Sequence, residues 1–465
     1  MKKVIILSLA LALVGGVAYA NFCARDAVPA ATLLFPYVTV DMTAAGAPDP
    51  SGQTTLTGIV NVSRAAVIVH FTAWDALSNP RIDFDEVLSG YDALQINWRD
   101  FLDGRFDLFD TALTAFTATS PYTLDPFEWG PDGRSQSNIG GQLTTAVQRN
   151  TITTCATVPP YGNRSDLSAT IIALLNEVLI AYPHDGCGTA TLRADKTAWA
   201  PAGPNPLFFY VTADVVNSCN LQFPNEVTYW TTPIANTNNV LIGDVIYLKA
   251  STNYSEMFPA VHIEALAGYA GTAFYGEKTA TQVNREPLAT AFAFRYGNDP
   301  LAGITSNVIL WKNFHEILVT DEVSDCGSYV YYAWDMDERS LSTTTQPISG
   351  LPTGGLSPNQ FPLETQKVPV STAYFDLPAS FGWMLIVLPP SYVNVPGWAD
   401  LTTAVAVTPR AYMGWAGLQF VYGTYSAGVE AATMANYWCN TSQQLDVLGT
   451  NRGAALVAPY GILFP

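Results

Sequence analysis

The stretch that decides the fold is Thr54–Asp110, TTLTGIVNVSRAAVIVHFTAWDALSNPRIDFDEVLSGYDALQINWRDFLDGRFDLFD, because it holds several short runs of strand-forming residues in succession. β-Branched, apolar and aromatic residues fill Thr54–Val62 and Val67–Trp74, and a short turn separates the two runs. A third run follows, in which Ile82 and Phe84 point to one side. Strands joined by such short turns pair as antiparallel neighbours, so this stretch predicts an antiparallel sheet.

The run at 67–74 alternates between two kinds of side chain. One face carries Val69 and Phe71. The other carries Ile68, His70 and Thr72. Two different faces are typical of a strand with one side in a core. Because Ile68 is apolar, we expect the second face to be partly covered as well.

Short runs of strand-forming residues separated by turns continue along the chain. They predict a mainly β fold made of antiparallel β-sandwich domains, stapled by disulfides. Further strands are predicted at 31–41, 207–216, 241–250, 260–266, 289–296, 307–312, 328–334, 373–377, 382–388, 404–408, 418–425 and 455–463. The motif L-F-x-Y-V-T-x-D at Leu34–Asp41 recurs at Leu207–Asp214. Either an internal repeat or chance similarity between two apolar strands explains that recurrence.

One buried α-helix is predicted in this β-rich chain. Ser165 is a good N-cap residue, and Leu167–Tyr182 runs without glycine or proline until Pro183. Apolar residues cover most of the helix circumference, which is typical of a helix that is buried all round.

Composition and turn signals divide the chain into six predicted segments. They are a signal peptide at 1–20, a β-sandwich at 21–120, a loop and helix insertion at 121–205, a second β-sandwich at 206–339, a Pro/Gly/Ser-rich linker at 340–362 and a C-terminal β region at 363–465. The first segment has Lys2 and Lys3, then an apolar core, then Ala18-Tyr19-Ala20, which is the pattern of a cleaved export signal. We therefore expect a protein without a membrane span that is secreted, extracellular or at the cell surface, with the periplasm as an alternative.

The charge balance narrows the choice of partners. The signal segment holds two lysines and no acid, so its removal takes the formal charge from −18 to −20. An acidic surface disfavours nucleic acid and anionic membranes as partners. Self-association or binding to a cell-surface glycan or protein is expected instead.

All six cysteines follow the signal segment, and an even number in an exported protein predicts disulfides. Cys155 with Cys187 is the favoured pair, because a bridge there would close the helical excursion. Cys23 with Cys439 and Cys219 with Cys326 are further pairings. No cysteine spacing indicates a zinc or haem site.

Clusters of acidic residues are candidates for structural calcium, since Ca²⁺ takes carboxylate and carbonyl oxygens in loops. The candidate ligands are Asp100, Asp103, Asp107, Asp335, Asp337 and Glu338. None has the spacing of an EF-hand, and the alternative is a solvated acidic surface. Apart from calcium, no cofactor is expected.

Catalytic motifs are missing from the sequence. There is no GxSxG, and four histidines leave little material for a triad. His262 and Glu264 lie two residues apart on a predicted strand, which suits an acid/base pair or an ordinary surface strand. Trp383, Trp398 and Trp415 are candidates for an aromatic binding surface. No catalytic residue is assigned.

Four phrases carry a resemblance that covers most of the mature chain. They are ATLLFPYVTVD (31–41), AVIVHFTAWD (66–75), AVHIEA (260–265) and NREPLATAFAFRY (284–296). In this order, and with the cysteines around them, they resemble a family of uncharacterised secreted bacterial proteins. The resemblance implies export and a disulfide-stapled, largely β fold, and it brings no activity.

Two functions follow as expectations. The first is a non-catalytic secreted or cell-surface protein in adhesion, matrix or surface assembly. The second is a carbohydrate-active enzyme or sugar-binding protein with an acidic, aromatic-lined cleft. Paired buried carboxylates beside an exposed tryptophan would favour the second. Exposed strand edges or complementary apolar patches would favour the first.

Overall fold

The computed structural model shows a mainly β protein whose strands pair antiparallel throughout, as the sequence predicts. It describes residues 28–76, 80–103, 206–218, 222–224, 229–230, 234–265, 285, 288–289, 291–299, 301–312, 330–337, 340–342, 364–371, 375, 377, 379–388, 414–423 and 425–435. The predicted signal peptide and the predicted helix at 165–182 lie outside these residues. In the described part of the chain, no helix is long and apolar enough to cross a membrane.

Among the described residues, the N-terminal sandwich contains nine strands in two sheets. Its strands are β1 (Thr32–Val40), β2 (Thr54–Asn61), β3 (Val67–Trp74), β4 (Pro80–Leu88), β5 (Ala93–Asn97), β6 (Leu207–Val216), β7 (Leu241–Lys249), β8 (Tyr254–Pro259) and β9 (Val261–Ile263). Sheet I has the order β4-β3-β6-β1-β9, and sheet II has the order β5-β2-β7-β8. A short helix, α1 (Trp98–Leu102), follows β5, and a 3-10 turn, Ala250–Thr252, follows β7.

The described part of the C-terminal sandwich also contains nine strands in two sheets. Its strands are β10 (Ala291–Gly297), β11 (Ile304–Lys312), β12 (Val330–Asp335), β13 (Ser340–Ser342), β14 (Thr365–Pro369), β15 (Phe381–Val387), β16 (Gly414–Tyr422), β17 (Tyr425–Glu430) and β18 (Ala432–Ala435). Sheet III has the order β14-β11-β16-β17, and sheet IV has the order β13-β12-β15-β10-β18.

Each sandwich has its own core between its two sheets. In the N-terminal sandwich, Phe209 of sheet I meets Trp98 of α1 edge to face, with ring centroids 5.2 Å apart. The Tyr247 hydroxyl of sheet II donates to the Tyr37 carbonyl of sheet I at 2.7 Å. In the C-terminal sandwich, Phe292 of sheet IV lies in the core beside residues of sheet III. Apolar residues on the facing sides of the two sheets supply this burial.

The two sandwiches have the same topology. Each strand of the first corresponds to the strand nine places later in the second, and both sheets keep the same strand order. The β1–β6 pair, with Thr32 opposite Asp214, matches the β10–β15 pair, with Ala291 opposite Val387. The β2–β7 and β11–β16 pairs also match residue for residue. The described chain is therefore a tandem of one nine-stranded unit.

Backbone hydrogen bonds outside the ladders repeat as well. The Leu241 amide donates to the Ala30 carbonyl at 2.9 Å, and the Gly414 amide donates to the Ala289 carbonyl at 2.8 Å. The Ala260 amide donates to Gly243, and the Ala431 amide donates to Ala416, both at 3.0 Å. These bonds show which residues occupy the same place in the two nine-stranded units, and we call such residues equivalent.

The strand pairing does not follow the division expected at residue 206. Strands β6 to β9 pair with β1 to β5, so 207–263 completes the N-terminal sandwich. The motif shared by Leu34–Asp41 and Leu207–Asp214 falls on β1 and β6, which are antiparallel neighbours in sheet I. Residues 340–342, at the start of the expected linker, form β13 and pair with β12.

Candidate functional sites: a polar row and the interface between the sandwiches

A row of polar side chains crosses the face of sheet I that points away from sheet II. Thr32, Asp214, His70 and Asp85 lie opposite one another on β1, β6, β3 and β4. Residues directly opposite in antiparallel strands point to the same face. All four are completely buried, which places a set of ionisable groups inside the protein. We call these four residues the polar row.

His70 and Asp85 form one end of the polar row. The Nδ1 atom of His70 is 2.8 Å from Oδ1 of Asp85. Burial opposes the charged imidazole, but the hydrogen bond and charge of Asp85, with the charges of Asp83 and Asp214, outweigh it and raise the pKa of His70. Within the described residues, Nε2 of His70 has no hydrogen-bond partner.

Asp214 and Thr32 form the middle of the row, where Arg285 covers them. The Thr32 hydroxyl donates to Asp214, and the Tyr229 hydroxyl donates to the same carboxylate at 3.2 Å. Arg285 donates from Nε to the Thr32 hydroxyl at 2.6 Å and stacks on the Trp230 ring, 5.3 Å from its centroid. A buried carboxylate with these partners is satisfied by charge and by hydrogen bonds.

The polar row can hold a proton, but its burial argues against contact with a substrate. An imidazole oriented by a carboxylate is the arrangement of a general base. His70 and Asp85 both have no exposed surface, however. The equivalent row in the C-terminal sandwich is apolar, with Ala291, Val387 and Val330 opposite one another. The row is therefore a feature of one sandwich, and its contacts tie strands β1, β6, β3 and β4 together.

The second candidate site is the interface between the sandwiches, which sheet III forms with its outer face. Ile309, Trp311 and Trp415 on this face belong to the hydrophobic core of the N-terminal sandwich. Trp415 meets Phe258 of β8 edge to face at 5.6 Å, and Trp311 meets Tyr210 of β6 at 5.6 Å. The central strands of sheet III, β11 and β16, thus contribute to both cores, one in their own sandwich and one against its neighbour.

Polar groups at the same interface form hydrogen bonds with one another, although Oε1 of Glu256 has no hydrogen-bond partner among the described residues. The Tyr254 hydroxyl donates to Glu256 at 2.5 Å, and the Gln419 amide donates to both Tyr254 and Glu256. Burial raises the pKa of Glu256, although these hydrogen bonds oppose the shift. Burial lowers the pKa of Lys367, which the charges of Glu256 and Asp41 oppose. These contacts join β8 of one sandwich to β16 of the other.

Glycine allows a close approach between the two units. A Cβ at Gly428 of β17 would lie 2.7 Å from Cζ of Phe258 and 2.9 Å from Oε1 of Glu256. The large Phe258 side chain therefore needs a residue without a side chain opposite it.

The predicted calcium ligands take up separate places. Asp100 lies in the first turn of α1 and accepts from Nδ2 of Asn97 at 2.6 Å, and Asp103 is the C-cap of the same helix. Asp335 ends β12, and its carboxylate accepts from the Asp337 amide at 2.9 Å. Asp107 and Glu338 lie outside the described residues. Within the part of the chain that the structure covers, no three His, Cys, Asp or Glu residues are grouped to hold a metal.

The predicted disulfides stay predictions, because all six cysteines lie outside the described residues. They are Cys23, Cys155, Cys187, Cys219, Cys326 and Cys439.

The other sequence candidates lie in structural positions where they are described. Nε2 of His262 accepts from the Gly243 amide at 3.1 Å, and Glu264 follows the end of β9. Trp383 is half-buried and stacks on Trp334 at 3.8 Å, and Trp415 is fully buried in the interface. Trp398 lies outside the described residues. The sequence analysis missed Glu256 and Gln419, whose partners become visible only when the two sandwiches are packed together.

Comparison of the chain with protein-family models, curated proteins and solved structures returned no match. The functional argument therefore depends on the geometry of this chain.

Proposed function

We propose that this chain is a non-catalytic secreted or cell-surface protein that serves in adhesion, matrix or surface assembly. The observation that supports it is the tandem of one nine-stranded unit, in which sheet III of the second sandwich packs tightly on the first. Repeated units joined by such interfaces suit extended scaffolds, because one packing mode is used again.

The burial of reactive groups supports the same proposal. The His70–Asp85 pair has no exposed surface, and Glu256 at the interface is engaged by Tyr254 and Gln419. The carbohydrate-active alternative needs paired carboxylates beside an exposed tryptophan. Asp85 and Asp214 share a sheet face with Trp74, but Trp74 is buried, and every tryptophan among the described residues is at least half-buried.

Electron microscopy of the mature protein at increasing concentration tests the proposal, with added calcium in one series and chelator in another. Fibres, sheets or rings that grow with concentration are expected. Their loss in chelator would support a structural calcium site at the acidic clusters that include Asp100 and Asp335. Single particles in every condition, combined with hydrolysis of a glycan, would contradict the non-catalytic proposal.

A further inference from the structure

In the part of the chain that the structure describes, one surface on each sandwich has no neighbouring sandwich packed on it. Outer faces of sheets II and III are equivalent, but among the described residues only that of sheet III is covered by a neighbouring sandwich. The uncovered face of sheet II carries half-exposed apolar side chains. They are Leu56, Val60, Ile242, Ile246 and Leu248, with Met257 57% exposed beside them. We call these six residues the sheet II face.

The second surface lies on β17 of the C-terminal sandwich. In the first sandwich, Tyr254, Glu256 and Phe258 of β8 receive sheet III. Their equivalents are Tyr425, Ala427 and Val429 of β17. These three are exposed, with Tyr425 at 76% and Val429 at 51%. We call them the β17 surface.

We propose that the sheet II face of one chain docks on the β17 surface of a second copy, in the way that sheet III docks on β8 within a chain. The proposal rests on the proposed function and names the contact through which assembly takes place. The occupant is a second copy because the interface inside the chain already joins the equivalent surfaces. The two surfaces are different, so the contact is head to tail and continues into an open chain of molecules.

The side chains at equivalent positions are complementary in size. Inside the chain, Gly428 faces the large Phe258. On the sheet II face, Met257 takes the position that Gly428 has on sheet III, and on the β17 surface Val429 takes the position of Phe258. The sheet face therefore carries the larger residue here, whereas inside the chain β8 carries it. A larger side chain on one surface thus again meets a smaller one on the other, as close packing favours.

The side chains are also matched in polarity. Gln419 donates to Glu256 inside the chain. Their equivalents are Ile246 on the sheet II face and Ala427 on the β17 surface, so both partners have become apolar together. A polar residue on one side alone would have been left unsatisfied on docking.

Sedimentation velocity of the full mature protein and two single variants tests the contact. Met257→Lys blocks the sheet II face, and Val429→Lys blocks the β17 surface. Both positions are more than half exposed, so the folded state tolerates the change. A lysine buried without a partner weakens association by roughly 100-fold or more. Met336→Lys, in the exposed turn after β12, is the matched control and should associate like the wild type.

Mixing the two variants decides between a head-to-tail contact and any other. Each variant alone should be monomeric, and an equal mixture should form a dimer that grows no further, because each variant supplies the surface that the other lacks. A mixture that stays monomeric would overturn the head-to-tail contact. If the wild type and both variants all assemble alike, these surfaces are wrong while the proposed function stands. If the wild type is monomeric at every concentration, self-assembly itself is wrong.

Discussion

Substitution of Phe258 measures how much the contact between the sandwiches stabilises the protein. Phe258 is 1% exposed. Its ring centroid lies 5.6 Å from that of Trp415 and 6.1 Å from that of Tyr247. Phe258→Ala removes a buried ring and leaves a cavity, which costs about 3–5 kcal/mol of unfolding free energy. Val429, its equivalent in the second sandwich, is 51% exposed, so Val429→Ala should change the free energy by less than about 0.5 kcal/mol.

Denaturant unfolding followed by tryptophan fluorescence gives both values, because Trp415 lies at the substituted contact. The two variants change the same position of the repeated unit, so strand geometry is matched, while the side chain and the neighbouring sandwich differ. The measurement is made at low protein concentration, where chains do not associate. Similar losses for the two variants, or a loss under about 1 kcal/mol for Phe258→Ala, would refute the packing of sheet III on β8.

Three further predictions concern polar groups. Gln419→Ala should cost about 1–3 kcal/mol in denaturant unfolding, since the buried Glu256 loses a hydrogen bond. Asp85→Asn should lower the pKa of His70 in an NMR titration, because burial then acts without the paired charge. Burial raises the pKa of Asp244, and docking would bury this carboxyl further, so wild-type association should strengthen as the pH falls. Asp244→Asn should abolish this pH dependence, which sedimentation measures.

Gln419→Ala has a control variant on an exposed strand. Gln95→Ala, on an exposed position of β5, should stay within about 0.5 kcal/mol of the wild type. In the wild type, the raised pKa of His70 gives stability that is present below its unfolded value of 6.5 and lost as the pH rises through the folded value. An unchanged imidazole titration in Asp85→Asn would contradict the ion pair. Asp244 is the only ionisable side chain among the described outer-face residues of sheet II, so a persistent pH dependence in Asp244→Asn would contradict its role.

Much of the strand content could be predicted from the sequence, because alternation and β-branched residues mark buried strands directly. Val67–Trp74 and Leu207–Val216 were predicted with the observed bounds. β8 was missed, since Tyr254–Pro259 has a glutamate on its buried side. That glutamate is buried against Gln419 of the other sandwich, which a local pattern cannot indicate.

The repetition of the nine-stranded unit could not be read from the sequence, because most equivalent residues share position and not identity. Phe258 corresponds to Val429, and Gln419 corresponds to Ile246. The clearest recurring triplet is Ala73-Trp74-Asp75 at the end of β3 and Ala333-Trp334-Asp335 at the end of β12. Strand order and hydrogen-bond register preserve the unit while side chains adapt to different neighbours.

The polar row was also out of reach of a sequence argument. His70 and Asp214 are far apart in the chain and become opposite neighbours only when β3 pairs with β6. The strand order of sheet I does not follow the chain, since β6 lies between β1 and β3, and this order brings the two residues together. Alternation in β3 predicted two different faces and partial cover of the second, and the structure shows both faces fully buried.

The most direct test of the central claim is a helical reconstruction by electron cryomicroscopy of assemblies formed by the wild-type mature protein. The account predicts a linear polymer in which the rotation and translation between neighbouring chains, from one C-terminal sandwich to the next N-terminal one, match those between the two sandwiches of a single chain. Met257 of one chain would then lie buried on the β17 surface of its neighbour, and Val429 of that neighbour on the sheet II face. Assemblies in which the sheet II face points to solvent, or pairs with itself across a two-fold axis, would contradict the account.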